Sequence, residues 1–225
     1  LVSSGAVAAG NGRVKARKPL SVAEKQALAA IGQGLLMQAY EKFFSARGVT
    51  VAQVLLTRSD ISDRRHYLNC RNTLLQLLNW GVIPVINEND TVASDEIRFG
   101  DNDTLSALVA GLVDADLLLI LSDTDGLYTS DPRIDPDARL VKTVKKITPE
   151  IVRMAKGPGT GLGTGGMSTK IGAAKISATS GIDTVIAPGR PAEGIPAGAS
   201  PAECIPAGVS PAGSISAGGA PAGAV

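Results

Sequence analysis

Apolar residues return along this chain with two spacings. Between residues 21 and 47, Leu28, Ile31, Leu35, Ala39 and Phe43 recur every three to four positions, which puts them on one side of a helix. Ser21 and Glu24 make a capping-box pair at its start and Gly48 a stop. Gly32 and Gly34 fall inside this helix, where each costs about 1 kcal/mol relative to Ala. Close packing against a neighbour is the expected reason for both. Residues 63–80 form a second helix, with Tyr67, Leu68, Leu74, Leu75 and Leu78 expected inward and Gly81 as its end. Leu105, Leu108, Val109 and Leu112 mark a third, with Asn102 or Asp103 expected near its N-cap. Thr148-Pro149-Glu150 opens a fourth. Met167, Ile171, Ala174 and Ala178 share one face of a fifth, over 167–180.

Short apolar runs alternate with these helices. Residues 49–57, 82–86, 117–121 and 182–187 read as strands, and 1–3 as the end of another that runs into Ser4-Gly5-Ala6 and an Ala-rich helix start. Pro84 points to an edge or an end of its strand. The unbroken run 117–121 reads as a strand buried in a parallel sheet. Strands alternating with helices predict an α/β fold, and 225 residues suffice for one sizeable domain with a buried core. From residue 191 the pattern stops. PAEGIPAGAS, PAECIPAGVS and PAGSISAGGA form a degenerate ten-residue repeat of Pro, Ala, Gly and Ser. Such a segment buries too little apolar surface to offset its ordering entropy. The chain therefore divides into an ordered domain at 1–188 and a tail at 189–225, expected to be disordered.

Composition removes several function classes. The formal net charge is +1 and aromatic residues make up 3%, which argues against a nucleic-acid face. Cys70 and Cys204 lie far apart and give no disulfide framework or zinc spacing, as in a reducing cytoplasm. No apolar run is long enough to span a bilayer, and no signal peptide is visible. His66, the single histidine, is expected to be a surface or packing residue, so Ser-His and Cys-His schemes find no other base.

Three stretches carry candidate chemistry. Residues 157–170, GPGTGLGTGGMSTK, are glycine-dense and lead straight into a helix. Such a loop lets the backbone approach an anion, and the helix adds unpaired N–H groups and a positive dipole end. Lys170 adds a full charge one turn in. The order of residues is not that of a P-loop. Gly161, Gly163 and Gly166 match the dinucleotide fingerprint formally, but no strand precedes them. The reading is a phosphate cradle of another architecture, with Lys170 as its catalytic lysine. The second stretch, 87–104, carries Asn87, Glu88, Asn89, Asp90, Asp101, Asn102 and Asp103, more than a helix cap needs. It is suited to holding an ammonium group and orienting a lysine. The third is Ser122-Asp123, at the C-terminal end of strand 117–121, where ligands gather in open α/β sheets. The nearby aspartates lack the EF-hand spacing, so a calcium site is rejected.

Taken together, VSSGAVAAG, EKQALAAIGQGLLMQ, QVLLTRSD, GVIPVINENDTVASDEIRFGDNDTLSALVA, LLLILSDTDGLYTSDP and GTGGMSTK closely resemble the glutamate 5-kinases, a branch of the amino acid kinase family. The resemblance covers about residues 1 to 188. It implies a three-layer αβα sandwich with a mainly parallel central sheet. It also implies ATP- and Mg²⁺-dependent phosphorylation of the γ-carboxylate of L-glutamate, the first step of proline biosynthesis, in a cytoplasmic homo-oligomer subject to feedback by proline. By the same resemblance Ser4, Asp90 and Asn102 bind glutamate, and Asn87 and Asp101 line the same loop. Ser122 and Asp123 meet ATP, where many members have Thr-Asp. Thr164, Gly165, Gly166, Met167, Ser168, Thr169 and Lys170 wrap the phosphates, Lys170 stabilises the moving phosphoryl group, and Asp103 orients the catalytic lysines. The family's opening unit is a strand with a lysine, a Gly-Ser/Thr turn and a helix, on the order of 30 residues or more. It has no counterpart in this sequence, and the repeat stands where the domain would finish its sheet. The chain as it stands is accordingly expected to show little or no kinase activity. Two alternatives remain at this stage: a family member acting on acetylglutamate or aspartate, and an inactive fragment that only binds ligand.

Overall fold

The computed structural model describes residues 1–17, 19–92, 101–156 and 166–189. The repeat tail from 190, most of the glycine-dense loop including Thr164 and Gly165, and 93–100 of the acidic stretch lie outside the described residues. Helices α1 (Ala6–Val14) and α2 (Val22–Ser45) lead to β1 (Val51–Leu56). A short α3 (Arg58–Ser62) and α4 (Arg64–Asn79) follow, then β2 (Ile83–Glu88). The chain continues through α5 (Asn102–Leu112), β3 (Leu117–Ser122), α6 (Pro149–Lys156), α7 (Met167–Thr179) and β4 (Asp183–Pro188). Local chemistry accounts for the boundaries. Ser21 caps α2 with a complete capping box on Glu24. At the start of α3 the Thr57 N–H and hydroxyl donate to Asp60 Oδ2 at 2.7 and 2.6 Å, and Asp63 caps α4 by accepting the His66 N–H. The α3 turn was not expected from the sequence, because five residues are too few to show a period.

Among the described residues both strand pairs run parallel. β1 pairs with β2 in register Val51 to Ile83, and β3 with β4 in register Leu117 to Asp183. The expected N-terminal strand end is present as a bridge from Val2 to Ile86 on the free side of β2. Among the described residues these ladders form two separate pairs rather than one continuous sheet. Helix α5 joins them. Its Leu105, Val109 and Leu112 pack with Leu56, Leu74 and Ile86. Its Ala107 and Ala110 pack with Leu118, Ile120 and Ala173.

Several expectations are corrected. Pro84 is the second residue of β2, so it lies near an end as one expectation had it, but the strand has neighbours on both sides and is not an edge. The Ile83 N–H donates to Thr50, whereas residue 86 exchanges bonds with residues 1 and 3. Backbone groups alternate in direction along a strand, so the nitrogen of Pro84 points away from β1 and no β1–β2 bond is lost. β3 is buried on one face only. Leu118 and Ile120 are inside, while Leu117, Leu119 and Leu121 are 47%, 54% and 61% exposed. In α4, Tyr67 and Leu74 face the core, but Leu68, Leu75 and Leu78 are exposed. Leu68 and Leu75 each follow an inward residue and so project about 100° away from it. In α2 the buried face is Leu28, Ala29, Gly32 and Gln33, and Ile31 and Phe43 of the expected stripe are exposed. α7 buries Ile171, Ala173 and Ser177, with Ala178 outside. Gly32 does mark a close approach, since a Cβ there would come 1.7 Å from the Ala6 carbonyl oxygen of α1. Gly34 has nothing within 4 Å, so close packing does not explain it. His66 is a surface residue, 3.4 Å from Asp60.

Candidate active site

The C-terminal ends of β2 and β3, the N-terminal bridge and the N-termini of α1, α5 and α7 carry the candidate residues expected from the sequence. At the N-terminal corner Ser3 is buried, with its hydroxyl 3.0 Å from the Tyr40 hydroxyl of α2. Ser4 is exposed, and Gly5 turns the chain into α1 with φ 90°, a left-handed conformation that favours glycine. No side chain caps α1 at Gly5. An open cleft of about 1120 Å³ lies here, lined by Gly5, Ala6, Ala8 and Asn11 of the corner, Lys25 of α2, and Asn87, Asp90 and Asn102, with Val7, Gly12 and Leu20 completing the wall. Asn87 is 3% exposed, and its Oδ1 accepts the Glu88 N–H at 2.9 Å. The cleft wall is thus small and apolar on the α1 side and amide-rich and acidic on the β2 side. That division suits a zwitterionic ligand.

The first turn of α5 links this cleft to the lysine. The N-cap is Asp101, with Asn102 and Asp103 next to it in the first turn, as expected. Its Oδ1 accepts the Thr104 N–H at 2.6 Å and its Oδ2 the Thr104 hydroxyl at 3.1 Å. With the cap satisfied by Asp101, the next two side chains serve other purposes. Asn102 lines the cleft. Asp103 turns to α7, where Lys170 Nζ donates to its Oδ1 and Oδ2 at 3.3 and 3.2 Å. The Thr169 hydroxyl lies 2.6 Å from Asp103 Oδ2 and 2.8 Å from the Gly166 carbonyl oxygen. The Lys170 and Asp103 side chains are 13% and 18% exposed, so water screens the pair only partly. Gly166, with φ 126°, starts α7 with no side-chain cap among the described residues, and the first-turn N–H groups of a helix suit an anion.

At the end of β3, Ser122 is buried. Its hydroxyl lies 3.2 Å from Asp123 Oδ1 and 3.3 Å from the Thr124 hydroxyl, and its carbonyl accepts the Gly189 N–H at 2.7 Å. Asp123 is exposed, as is Ser168, and Met167 is half-buried against Leu127 and Ile171. The residues expected from the sequence therefore fall into three neighbouring groups. Asn87, Asp90 and Asn102 meet at the cleft beside Ser4 and Gly5. Asp103, Thr169 and Lys170 form a bonded cluster. Ser122 and Asp123 stand at the end of β3. Lys25 and Asn11 were not expected there. Lys25 sits in a helix whose periodicity speaks only of packing, and only the crossing of α1 over α2 brings it to the cleft.

The amino acid kinase family model matches residues 1–188. The glutamate 5-kinase of Moorella thermoacetica is 60% identical over 190 residues, 84% of this chain and 50% of that protein. The glutamate 5-kinase of Caldanaerobacter subterraneus subsp. tengcongensis is 59% identical over 191 residues, 84% of this chain and 51% of that protein. The chain thus spans about half the length of these curated relatives. Among solved structures, E. coli aspartokinase III in complex with aspartate and ADP superposes with a TM-score of 0.52 at 18% identity, covering 81% of this chain and 41% of that one. That likeness concerns the fold, an α/β architecture with parallel strands. On the match over residues 1–188 and the identity with these relatives, the chain belongs to the amino acid kinase family.

Proposed function

We propose that residues 1–188 form an amino acid kinase domain that transfers the γ-phosphoryl group of ATP to the γ-carboxylate of L-glutamate, giving γ-glutamyl phosphate and ADP. The observation that carries this reading is the first turn of α5, which puts Asn102 in the cleft wall and Asp103 on Lys170. An acceptor in the cleft is thereby brought beside a cation suited to a phosphoryl group. The 60% identity with a glutamate 5-kinase supports glutamate as that acceptor. Asp90, Asn87 and Asn102 would bind the substrate beside Ser4, and Asp101 holds the α5 turn that presents Asn102. The open N-terminus of α7, with Gly166, Met167, Ser168, Thr169 and Lys170, would take the phosphates, and Ser122 and Asp123 the rest of the nucleotide. Thr164 and Gly165 belong to the same proposal.

The acceptor carboxylate has a reference pKa of about 4.3 and is already an anion at neutral pH, so no general base is needed. One of its oxygens bonds to the γ-phosphorus as the bond to the bridging oxygen of ADP breaks. Lys170, steered by Asp103, faces the charge that shifts between those oxygens. Mg²⁺, carried on the phosphates with several waters, would supply further charge neutralisation. Feedback by proline, a homo-oligomer and a cytoplasmic location accompany the glutamate reading. Among the described residues no helix is long and apolar enough to cross a membrane.

A hydroxylamine trap tests the reaction, because acyl phosphates yield hydroxamates. With ATP and Mg²⁺, the weak activity expected of this chain should give hydroxamate from L-glutamate and none from aspartate or acetylglutamate. Hydroxamate from acetylglutamate and none from glutamate would replace the proposed acceptor.

A further inference from the structure

We propose that Lys25 is a substrate-positioning residue that pairs with the α-carboxylate of the acceptor amino acid and so selects acceptors that carry one. This rests on the glutamate reading above and adds a residue to it. Glutamate brings three charged groups to the cleft. Its γ-carboxylate must face Lys170 to react. Its α-ammonium finds Asp90 and the side-chain oxygens of Asn87 and Asn102. The α-carboxylate then needs a cation, and Lys25 is the one cationic side chain on the cleft wall among the described residues.

Three features suit Lys25 to that task. Its neighbour Glu24 is occupied by the cap, accepting the Ser21 N–H at 2.7 Å and the Ser21 hydroxyl at 2.8 Å. Lys25 Nζ makes no hydrogen bond or ion pair among the described residues, so its charge is available. The backbone that carries it is fixed, because one turn later Leu28 and Ala29 are buried and the Leu28 carbonyl lies against Gly10 of α1. A Cβ at Gly10 would come 2.0 Å from that oxygen. This contact holds the start of α2 on the same cleft as the uncapped start of α1, whose dipole favours negative charge in the same place.

The test compares L-glutamate with γ-aminobutyrate, which keeps the ammonium and the reacting carboxylate and lacks only the α-carboxylate. Binding of both, and of ADP, is measured by calorimetry on the full chain and on Lys25→Met and Lys25→Arg. Lys25→Met should raise the Kd for glutamate by about tenfold to a hundredfold, the worth of a hydrogen bond to a charged group. The Kd values for γ-aminobutyrate and ADP should stay within about twofold, since neither ligand carries the group that Lys25 pairs with. Lys25→Arg should recover most of the glutamate affinity. Equal weakening of glutamate, γ-aminobutyrate and ADP, or an unchanged glutamate Kd in Lys25→Met, overturns the inference and leaves the glutamate reading standing. Absence of glutamate binding by the unsubstituted chain overturns both.

Discussion

At the scale of single residues, the arrangement turns on Asp103 serving Lys170 while its neighbours serve other partners. Asp101 is spent on the α5 cap and Asn102 on the cleft, so Asp103 alone of the three meets α7. In the proposed reaction Lys170→Ala removes the cation that faces the moving phosphoryl group. By analogy with arginine-finger effects, kcat should fall by about 10³–10⁵. Asp103→Asn keeps the lysine but loosens its aim, and misplacement of a reacting group by about 1 Å costs on the order of 10² in rate. If Asp103 acts only through Lys170, the double variant should be no slower than Lys170→Ala alone. Multiplying penalties in steady-state kinetics would mean that Asp103 has a separate role. The acidic composition of residues 87–104 pointed to this region, and Lys170 stood out at the end of its glycine loop. The division of labour inside Asp101-Asn102-Asp103 could not be read there, because each of the three is a competent cap and only the backbone at Asp101 decides between them.

At the scale of elements, the crossing of α1 and α2 shows how a destabilising residue becomes necessary. Both helices carry glycine where they meet: Gly10 against the Leu28 carbonyl and Gly32 against the Ala6 carbonyl. Gly32→Ala would put a methyl group 1.7 Å from backbone oxygen, so the helices must separate and the wall of the cleft with them. Overpacking of this kind typically costs about 1–3 kcal/mol. Gly34→Ala meets nothing within 4 Å and should instead stabilise α2 by about 0.8–1.0 kcal/mol. Chemical denaturation of the two variants should shift the midpoint in opposite directions, and a shift in the same direction would contradict this account of the crossing. The sequence shows two glycines two residues apart in one helix, and nothing local distinguishes them. Their difference is one of azimuth, about 200° around the helix, and it acquires meaning only when α1 is laid against one side. The existence and order of the main helices and strands was legible for the opposite reason. Apolar spacing, the Ser21–Glu24 box and the Thr148-Pro149-Glu150 start are local signals. The inward faces of α2, α4 and β3 were misread where apolar residues continue around an element beyond the side that its neighbours cover.

At the scale of the whole molecule, the two parallel strand pairs share no ladder among the described residues, and there their cohesion rests on the helices that span them. α5 is the principal one. One side of it closes the core of β1, β2 and α4 through Leu105, Val109 and Leu112, and the other closes the core of β3 and α7 through Ala107 and Ala110. The residue sizes explain the asymmetry. The leucines fill space toward the first pair, and the alanines let α7 approach closely on the other. Because the first turn of the same helix carries Asn102 and Asp103, the geometry of the proposed acceptor and phosphoryl sites depends on both packings at once. Leu105 is fully buried on the β2 side, and Leu105→Ala should cost about 2–5 kcal/mol. If α5 couples the halves, that loss is shared: amide-exchange protection should fall in β3 and β4 as well as in β1 and β2, and the Asp103–Lys170 contact should loosen with it. Protection lost only from β1 and β2, with β3 and β4 exchanging as before, would mean that the two strand pairs unfold independently and that α5 belongs to the first alone.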